Sequence, residues 1–290
     1  MSLRRPNLSY KGNKEKNEVV ILPIGERPLV TGILNVTPDS FSDGGKFDNV
    51  DKAVKQALLM TSQGADIIDI GGESTRPGAR LVSADVELER VLPVIESLRG
   101  KTDVPISIDT MKSEVAREAC RAGATIINDV SGLQNDEGIA EVAREYSTYL
   151  VLMHMRKTPE TMQIEIHYDD LIGEISDFLY GAVNKAIKIG VSREKIIIDP
   201  GIGFGKTVEH NFSILKNIPA FKSLGFPVMI GVSRKSFIGK TLDLPVDERL
   251  EGSLAAALYA VLNGVSIIRV HDVLPTIRAL KIVERIVRAD

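Results

Sequence analysis

The sequence predicts the α/β class and, within it, a single-domain (β/α)8 TIM barrel, and three observations carry that expectation. From residue 29 onward, eight short β-rich runs alternate with stretches of helical periodicity, the pattern of repeated βα units around a parallel sheet. Several runs, among them Leu29-Val30, Ile67-Ile68, Ile126-Ile127 and Ile196-Ile197-Ile198, are apolar at consecutive positions, as strands covered on both faces must be. The length of 290 residues with 43% hydrophobic content suits one barrel, which needs roughly 250 residues. An eight-stranded open, doubly wound sheet is the alternative, and closure accounts better for the two apolar faces.

In chain order, a strand at 29–34 precedes a helix at 50–63, then 66–70 precedes 84–99, 105–108 precedes 112–121, and 125–128 precedes 137–145. The second half repeats the unit: 149–153 with 169–189, 195–198 with 208–216, 227–230 with 249–262, and 266–270 with 273–287. Each strand is a short β-rich run, and each helix repeats apolar residues at spacings of three and four. Val19 to Leu22 is expected to add a short strand or hairpin under the barrel. Residues 1–18 carry Arg4, Arg5, Lys11, Lys14 and Lys16 without an apolar core, so they read as a flexible leader and not a signal peptide. The barrel domain is then 19–290.

Composition excludes several classes. A net charge of −3, from 36 basic and 39 acidic residues interspersed along the chain, provides no basic face for nucleic acid. The longest apolar run, Leu254 to Leu262, is too short to span a bilayer. Cys120 is the single cysteine, so no intrachain disulfide or cysteine-built metal site is expected and a cytoplasmic setting fits. Within REACRAGA it reads as a packed small residue.

Polar residues collect at the C-terminal ends of the expected strands: Asn35, Gly71 to Arg76, Asp109, Asn128, His154, Asp199, Ser233 to Ser236, Arg269 and His271. That end of a barrel carries the active site. Asp109 and Asp199 each close a buried strand, and an ionised carboxylate there needs N–H partners. Each alone reads equally well as a loop or cap residue; together with Asn128 they suit a flat heterocycle with amide-like edges. Asn35, Arg76, Arg269 and His271 combine a Mg2+ ligand oxygen with cationic donors, the chemistry of a diphosphate site. His167 and His210 read as surface residues.

GVSRKSFIGK at 231–240 predicts a short helix starting near Ser233, where Ser236 and the helix N-terminus would hold a carboxylate. Lys235 is open to two readings there, an anion partner or a Schiff-base lysine. GIGFG at 201–205 has the spacing of neither a Rossmann fingerprint nor a P-loop; it reads as a tight turn with Phe204 as an apolar wall. TPDSFSDGG at 37–45 and GGESTRPGA at 71–79 have the composition of loops that move over a site.

GILNVTPDSFSDGG, ADIIDIGGESTRPGA, PISIDT, IINDVSG, LMHM, IIIDPGIGFGKT, GVSRKSFIG and RVHDV, in this order over about 29 to 275, resemble the dihydropteroate synthase family. The resemblance implies condensation of 6-hydroxymethyl-7,8-dihydropterin diphosphate with p-aminobenzoate to 7,8-dihydropteroate and diphosphate, by an SN1-like route. It implies that Asp109, Asn128, Asp199 and Lys235 hold the pterin, with Met153 lining its slot and Arg269 stacked on the ring, which answers the Lys235 question against a Schiff base. Asn35 would bind Mg2+, and Arg269, His271, Thr75 and Arg76 would meet the diphosphate. Phe41 and Asp43 on one loop, and Thr75, Arg76 and Pro77 on another, would close over the site. Phe204, Pro77, Phe41, Thr75, Lys235 and Ser236 would surround p-aminobenzoate, a pocket that sulfonamide mimics would share. A homodimer is implied too. A pterin-dependent methyltransferase and a non-catalytic pterin-binding barrel are the competing readings; the first has no use for the Ser236 carboxylate site or the diphosphate cluster, and the second does not need Asn35, His271 or two closing loops. Lys157, where the family is expected to carry glycine, departs from the pattern and puts the shape of its loop in question.

Overall fold

The computed structural model describes residues 20–37 and 46–289. Its eight strands are β1 (Leu29–Asn35), β2 (Ile67–Gly71), β3 (Ile106–Asp109), β4 (Ile126–Asp129), β5 (Tyr149–Met153), β6 (Ile196–Asp199), β7 (Met229–Ile230) and β8 (Ile267–Val270). All are parallel and ordered β6-β5-β4-β3-β2-β1-β8-β7. An isolated bridge from Ile198 to Val228 and the Ile198 N–H donated to Pro227 O at 2.9 Å join β6 to β7 and close the barrel. Because this seam holds by one bridge, β7 shrinks to two residues where four were expected.

Around the strands lie α1 (Lys46–Gln63), α2 (Ala84–Arg99), α3 (Ser113–Ala122), α4 (Gly138–Tyr146), α5 (Leu171–Ile189), α6 (Val208–Lys216), α7 (Ile218–Lys222), α8 (Ser236–Leu242), α9 (Leu250–Leu262) and α10 (Val273–Val287). The sequence reading missed α7, a five-residue restart with Pro219 in its first turn, where a missing N–H costs nothing. It also set the start of α8 too early. Arg234 stands at φ +58, outside right-handed helix space, so the helix begins at Ser236 and not near Ser233.

Strand alternation explains the consecutive isoleucines. Ile67, Ile126, Val151, Ile197, Met229 and Ile267 fill the barrel interior, whereas Ile68, Ile127, Leu150, Ile196, Ile198 and Ile268 pack outward against the helices. Each fully buried side chain of this size contributes about 1.5–3 kcal/mol, and the interior is filled down to a cavity of about 10 Å³. The expected strand under the barrel is corrected. Among the described residues, 20–22 form no strand; a turn with Gly25 at φ +95 is closed by one bridge between Ile24 and Arg27. Leu22 nevertheless plugs the bottom, 4% exposed, its N–H donated to Tyr149 Oη at 3.0 Å. The expected leader, 1–18, lies outside the described residues.

Candidate active site

Strand register gathers the polar residues at one end. Asn35 pairs with Gly71, Gly71 with Asp109, Asp109 with Asn128, and Met153 with Asp199. Asn35 Oδ1 and Asp109 Oδ2 each lie 3.8 Å from where a Gly71 side chain would begin, so the first and third strands present their oxygens side by side.

Arg269 is the hub. Its Nε donates to Asp69 Oδ2 at 2.5 Å and its Nη2 to Asp109 Oδ2 at 2.7 Å. Asn128 Nδ2 also donates to Asp69 Oδ2, at 3.1 Å. Asp69 was not singled out from sequence. The available signal was one carboxylate inside the apolar run IIDIG, two residues before Gly71 and therefore on its inward face. Burial pushes Asp109 up to about 7, with Asp69 adding to the rise and Arg269 opposing it.

Asp199 ends β6 with Oδ1 accepting the Gly201 N–H at 2.7 Å, and burial raises its pKa. Gly201, at φ +72, turns the chain so tightly that a Cβ would lie 1.9 Å from His154 O; only glycine fits. The turn delivers Phe204, whose ring lies under Lys235 Nζ at 4.5 Å and joins Met111, Val130, Met153, Met155 and Met162 in an apolar wall. Lys235 Nζ donates to Ile202 O, and burial lowers the amine to about 8.

Lys206, also unforeseen, anchors this turn from behind: Nζ reaches Phe204 O at 2.9 Å and His154 Nδ1 at 2.8 Å, and burial holds it well below the ordinary lysine range. His154 is thereby a structural partner, pushed down to about 2 by burial and the neighbouring lysine. His167 is exposed as expected. His210 is half-buried: its N–H donates to Thr207 Oγ1 at 3.2 Å in the cap of α6, and its ring meets Tyr168 edge-on.

At the rim, Ser233 Oγ lies 3.1 Å from both the N–H and Nδ1 of His271. Burial, then the charges of Arg269 and Arg234, bring His271 down to about 4, with Arg76 adding a smaller push. The imidazole is neutral at neutral pH. Arg234 itself is held by Asp272 through Nε at 2.9 Å and Nη2 at 2.6 Å.

The second loop is braced from beneath by Glu73, which accepts the Val82 N–H at 2.7 Å and Lys112 Nζ at 2.9 Å. Lys112 Nζ bonds the fully buried Glu87 at 2.6 Å as well. Thr75 is half-buried above this brace while Arg76 and Pro77 are exposed, and Gly78 N–H donates to Pro159 O at 3.0 Å. Ser236 opens α8 with its side chain exposed. The structure thus brings Asn35, Asp109, Asn128, Met153, Asp199, Phe204, Lys235 and Arg269 together, with His271 at the edge. Phe41 and Asp43 lie outside the described residues. Cys120 is a buried thiol pushed up to about 12, a packing residue. Lys157 stands at φ +63, left-handed backbone that a glycine would adopt without strain.

The barrel, with an acidic and cationic pocket at its C-terminal mouth, matches the family described as pterin binding enzyme over residues 31–271. A dihydropteroate synthase of Synechocystis sp. is 52% identical over 250 residues, 86% of each chain. The crystal structure of a Clostridium difficile dihydropteroate synthase in the presence of pteroic acid is 46% identical with a TM-score of 0.88, covering 93% of this chain and 100% of that one. A Xanthomonas albilineans dihydropteroate synthase with 4-aminobenzoic acid is 43% identical with a TM-score of 0.86, over 91% of this chain and 95% of that one. The fold and site thus define a pterin-binding enzyme of the (β/α)8 class. The chain belongs to the dihydropteroate synthase family, transferases of folate biosynthesis.

Proposed function

We propose that the protein joins 6-hydroxymethyl-7,8-dihydropterin diphosphate to p-aminobenzoate, releasing diphosphate and 7,8-dihydropteroate. The observation that carries this reading is the Arg269 guanidinium bonded to buried carboxylates beside Asn128, Asp199 and Lys235. Ring N–H groups of a pterin would bond Asp109, Asn128 and Asp199, each charge-assisted bond contributing about 1.5–3 kcal/mol. Met153 would line the slot, Lys235 would hold a ring oxygen or nitrogen, and Arg269 would lie against the ring.

The diphosphate would meet Asn35, Thr75, Arg76, Arg269 and His271. Asn35 is the residue that would hold a Mg2+ ion, and among the described residues no group of three His, Cys, Asp or Glu competes for one. A single neutral oxygen fits an ion that takes most of its octahedron from phosphate oxygens and water. When bound, the ion supplies charge neutralisation at the departing diphosphate.

Ionisation precedes attack in this reading. Arg76 and Arg269 stabilise charge developing on the leaving group, while the electron-rich pterin ring delocalises the methylene cation. The aniline nitrogen of p-aminobenzoate, seated among Phe41, Pro77, Phe204, Lys235 and Ser236, then attacks. Once bonded, that nitrogen is acidic enough to lose its proton without a strong base. Closure by loops bearing Phe41, Asp43, Thr75, Arg76 and Pro77 would keep water from the cation.

A homodimer through α9 and α10 is part of the proposal: Tyr259, Leu262, Ile282, Ile286 and Val287 leave their apolar side chains exposed there, and exposed apolar groups on neighbouring helices are what a protein contact covers. A cytoplasmic setting is proposed from the lone cysteine. No described helix is long and apolar enough to cross a membrane. The pocket assignment is tested with Asp199→Asn: pterin diphosphate affinity should fall while p-aminobenzoate binding to pterin-loaded protein changes little. Equal losses would overturn the assignment.

A further inference from the structure

Asp69 lies beneath the pocket, 1% exposed, in the middle of β2. A buried carboxylate needs hydrogen-bond donors around it, and its Oδ2 collects two from distant strands, Arg269 Nε of β8 at 2.5 Å and Asn128 Nδ2 of β4 at 3.1 Å. We infer that Asp69 is a positioning residue that orients the Arg269 guanidinium and fixes which end of the Asn128 amide faces the substrate.

An asparagine amide presents either its NH2 or its oxygen after a half-turn about its last bond. A carboxylate only accepts, so Asp69 selects the orientation that commits Nδ2 to itself. The opposite atom, Asn128 Oδ1, is buried and has no hydrogen-bond partner among the described residues. Position 128 is therefore set as an acceptor, matched to a ring edge that carries N–H groups and mismatched to one carrying lone pairs. Arg269 is fixed by the same carboxylate: bonds from Nε to Asp69 and from Nη2 to Asp109 define the guanidinium plane by two of its nitrogens. Gly71, one inward position above Asp69, adds no side chain between this support and the pocket; a Cβ there would stand 3.6 Å from the Asp109 Cβ.

This inference rests on the proposed pterin site, and its test keeps the two apart. Binding of the pterin diphosphate is measured by calorimetry with Mg2+ present for the wild type, Asp69→Asn, Asn128→Asp and the double exchange Asp69→Asn/Asn128→Asp. In Asp69→Asn the amide at 128 loses its fixed sense, and Kd should rise at least tenfold. In Asn128→Asp two carboxylates face each other, and Kd should rise as much or more. In the double exchange, the amide introduced on β2 turns about its last bond so that its NH2 donates to the carboxylate introduced on β4 while its oxygen accepts from Arg269, dividing between two atoms what Asp69 Oδ2 alone does in the wild type. A carboxylate oxygen then remains as the ligand acceptor, so at least threefold of the loss should return. Wild-type affinity in Asp69→Asn, or a double variant that binds no better than either single variant, would overturn the positioning role. If Asp69→Asn does not fold, the double variant against Asn128→Asp alone decides in the same way. A wild type that binds no pterin diphosphate would overturn the functional reading first.

Discussion

Asp109, at the end of β3, holds the Arg269 guanidinium of β8 at 2.7 Å, yet burial still keeps its carboxyl pKa near 7. An ion pair would ordinarily lower an aspartate, so desolvation is the larger effect here. The pocket is poised to change charge near neutrality.

The first prediction follows from that poise. Asp109 is raised from 3.8 to about 7 and so becomes an ionised acceptor only above about 7. Lys235 is lowered from 10.5 to about 8 and so keeps its charge only below about 8. The form with both charges peaks between these values, and kcat/KM for the pterin diphosphate should be bell-shaped with its maximum there. Asp109→Asn should lower the curve and remove its acid limb. A profile flat from pH 6 to 9 would contradict this assignment.

The second concerns the brace under the second loop. Lys112→Met would leave Glu87, fully buried and already raised by desolvation, without its cation, and breaking a buried pair costs about 3–5 kcal/mol. Denaturant unfolding should show a loss of that order. Glu87→Gln, which removes the charge together with the need for its partner, should cost less than half as much.

Lys157 supplies the third. Its left-handed backbone at φ +63 strains a side-chain-bearing residue, and glycine relieves it. Lys157→Gly should raise unfolding free energy by about 0.5 kcal/mol, the relief being partly offset by loss of the bond from Lys157 Nζ to Ile164 O at 2.6 Å and by glycine's greater freedom when unfolded. A destabilised variant in the same titration would refute the strain argument.

A fourth prediction addresses assembly. Ile282 and Ile286, one turn apart on α10 and 63% and 67% exposed, should lie at the proposed dimer contact. Ile282→Glu/Ile286→Glu should sediment as a monomer where the wild type sediments as a dimer. Unchanged sedimentation would place any contact elsewhere.

The sequence disclosed the barrel because its strands are apolar on both faces, and it disclosed the pocket because polar residues such as Asp109, Asn128 and Asp199 close those strands. It concealed what depends on side chains meeting from distant strands. Asp69 looks like one misplaced carboxylate until Arg269, 200 residues later, is seen on it. Lys206 looks like a surface lysine after a glycine turn until His154 and Phe204 O enclose it. The shortness of β7 and the late start of α8 escaped for a local reason: one rests on a single bridge at the closing seam, the other on the left-handed Arg234. Phe41 and Asp43, proposed to close over the site, lie outside the described residues and rest on the sequence motif.

The most direct measurement incubates purified protein with Mg2+, the pterin diphosphate and labelled p-aminobenzoate and separates the products. The account predicts labelled 7,8-dihydropteroate with an equal amount of diphosphate, both reduced at least tenfold in Asp109→Asn. No labelled product from folded protein with verified substrates would contradict it.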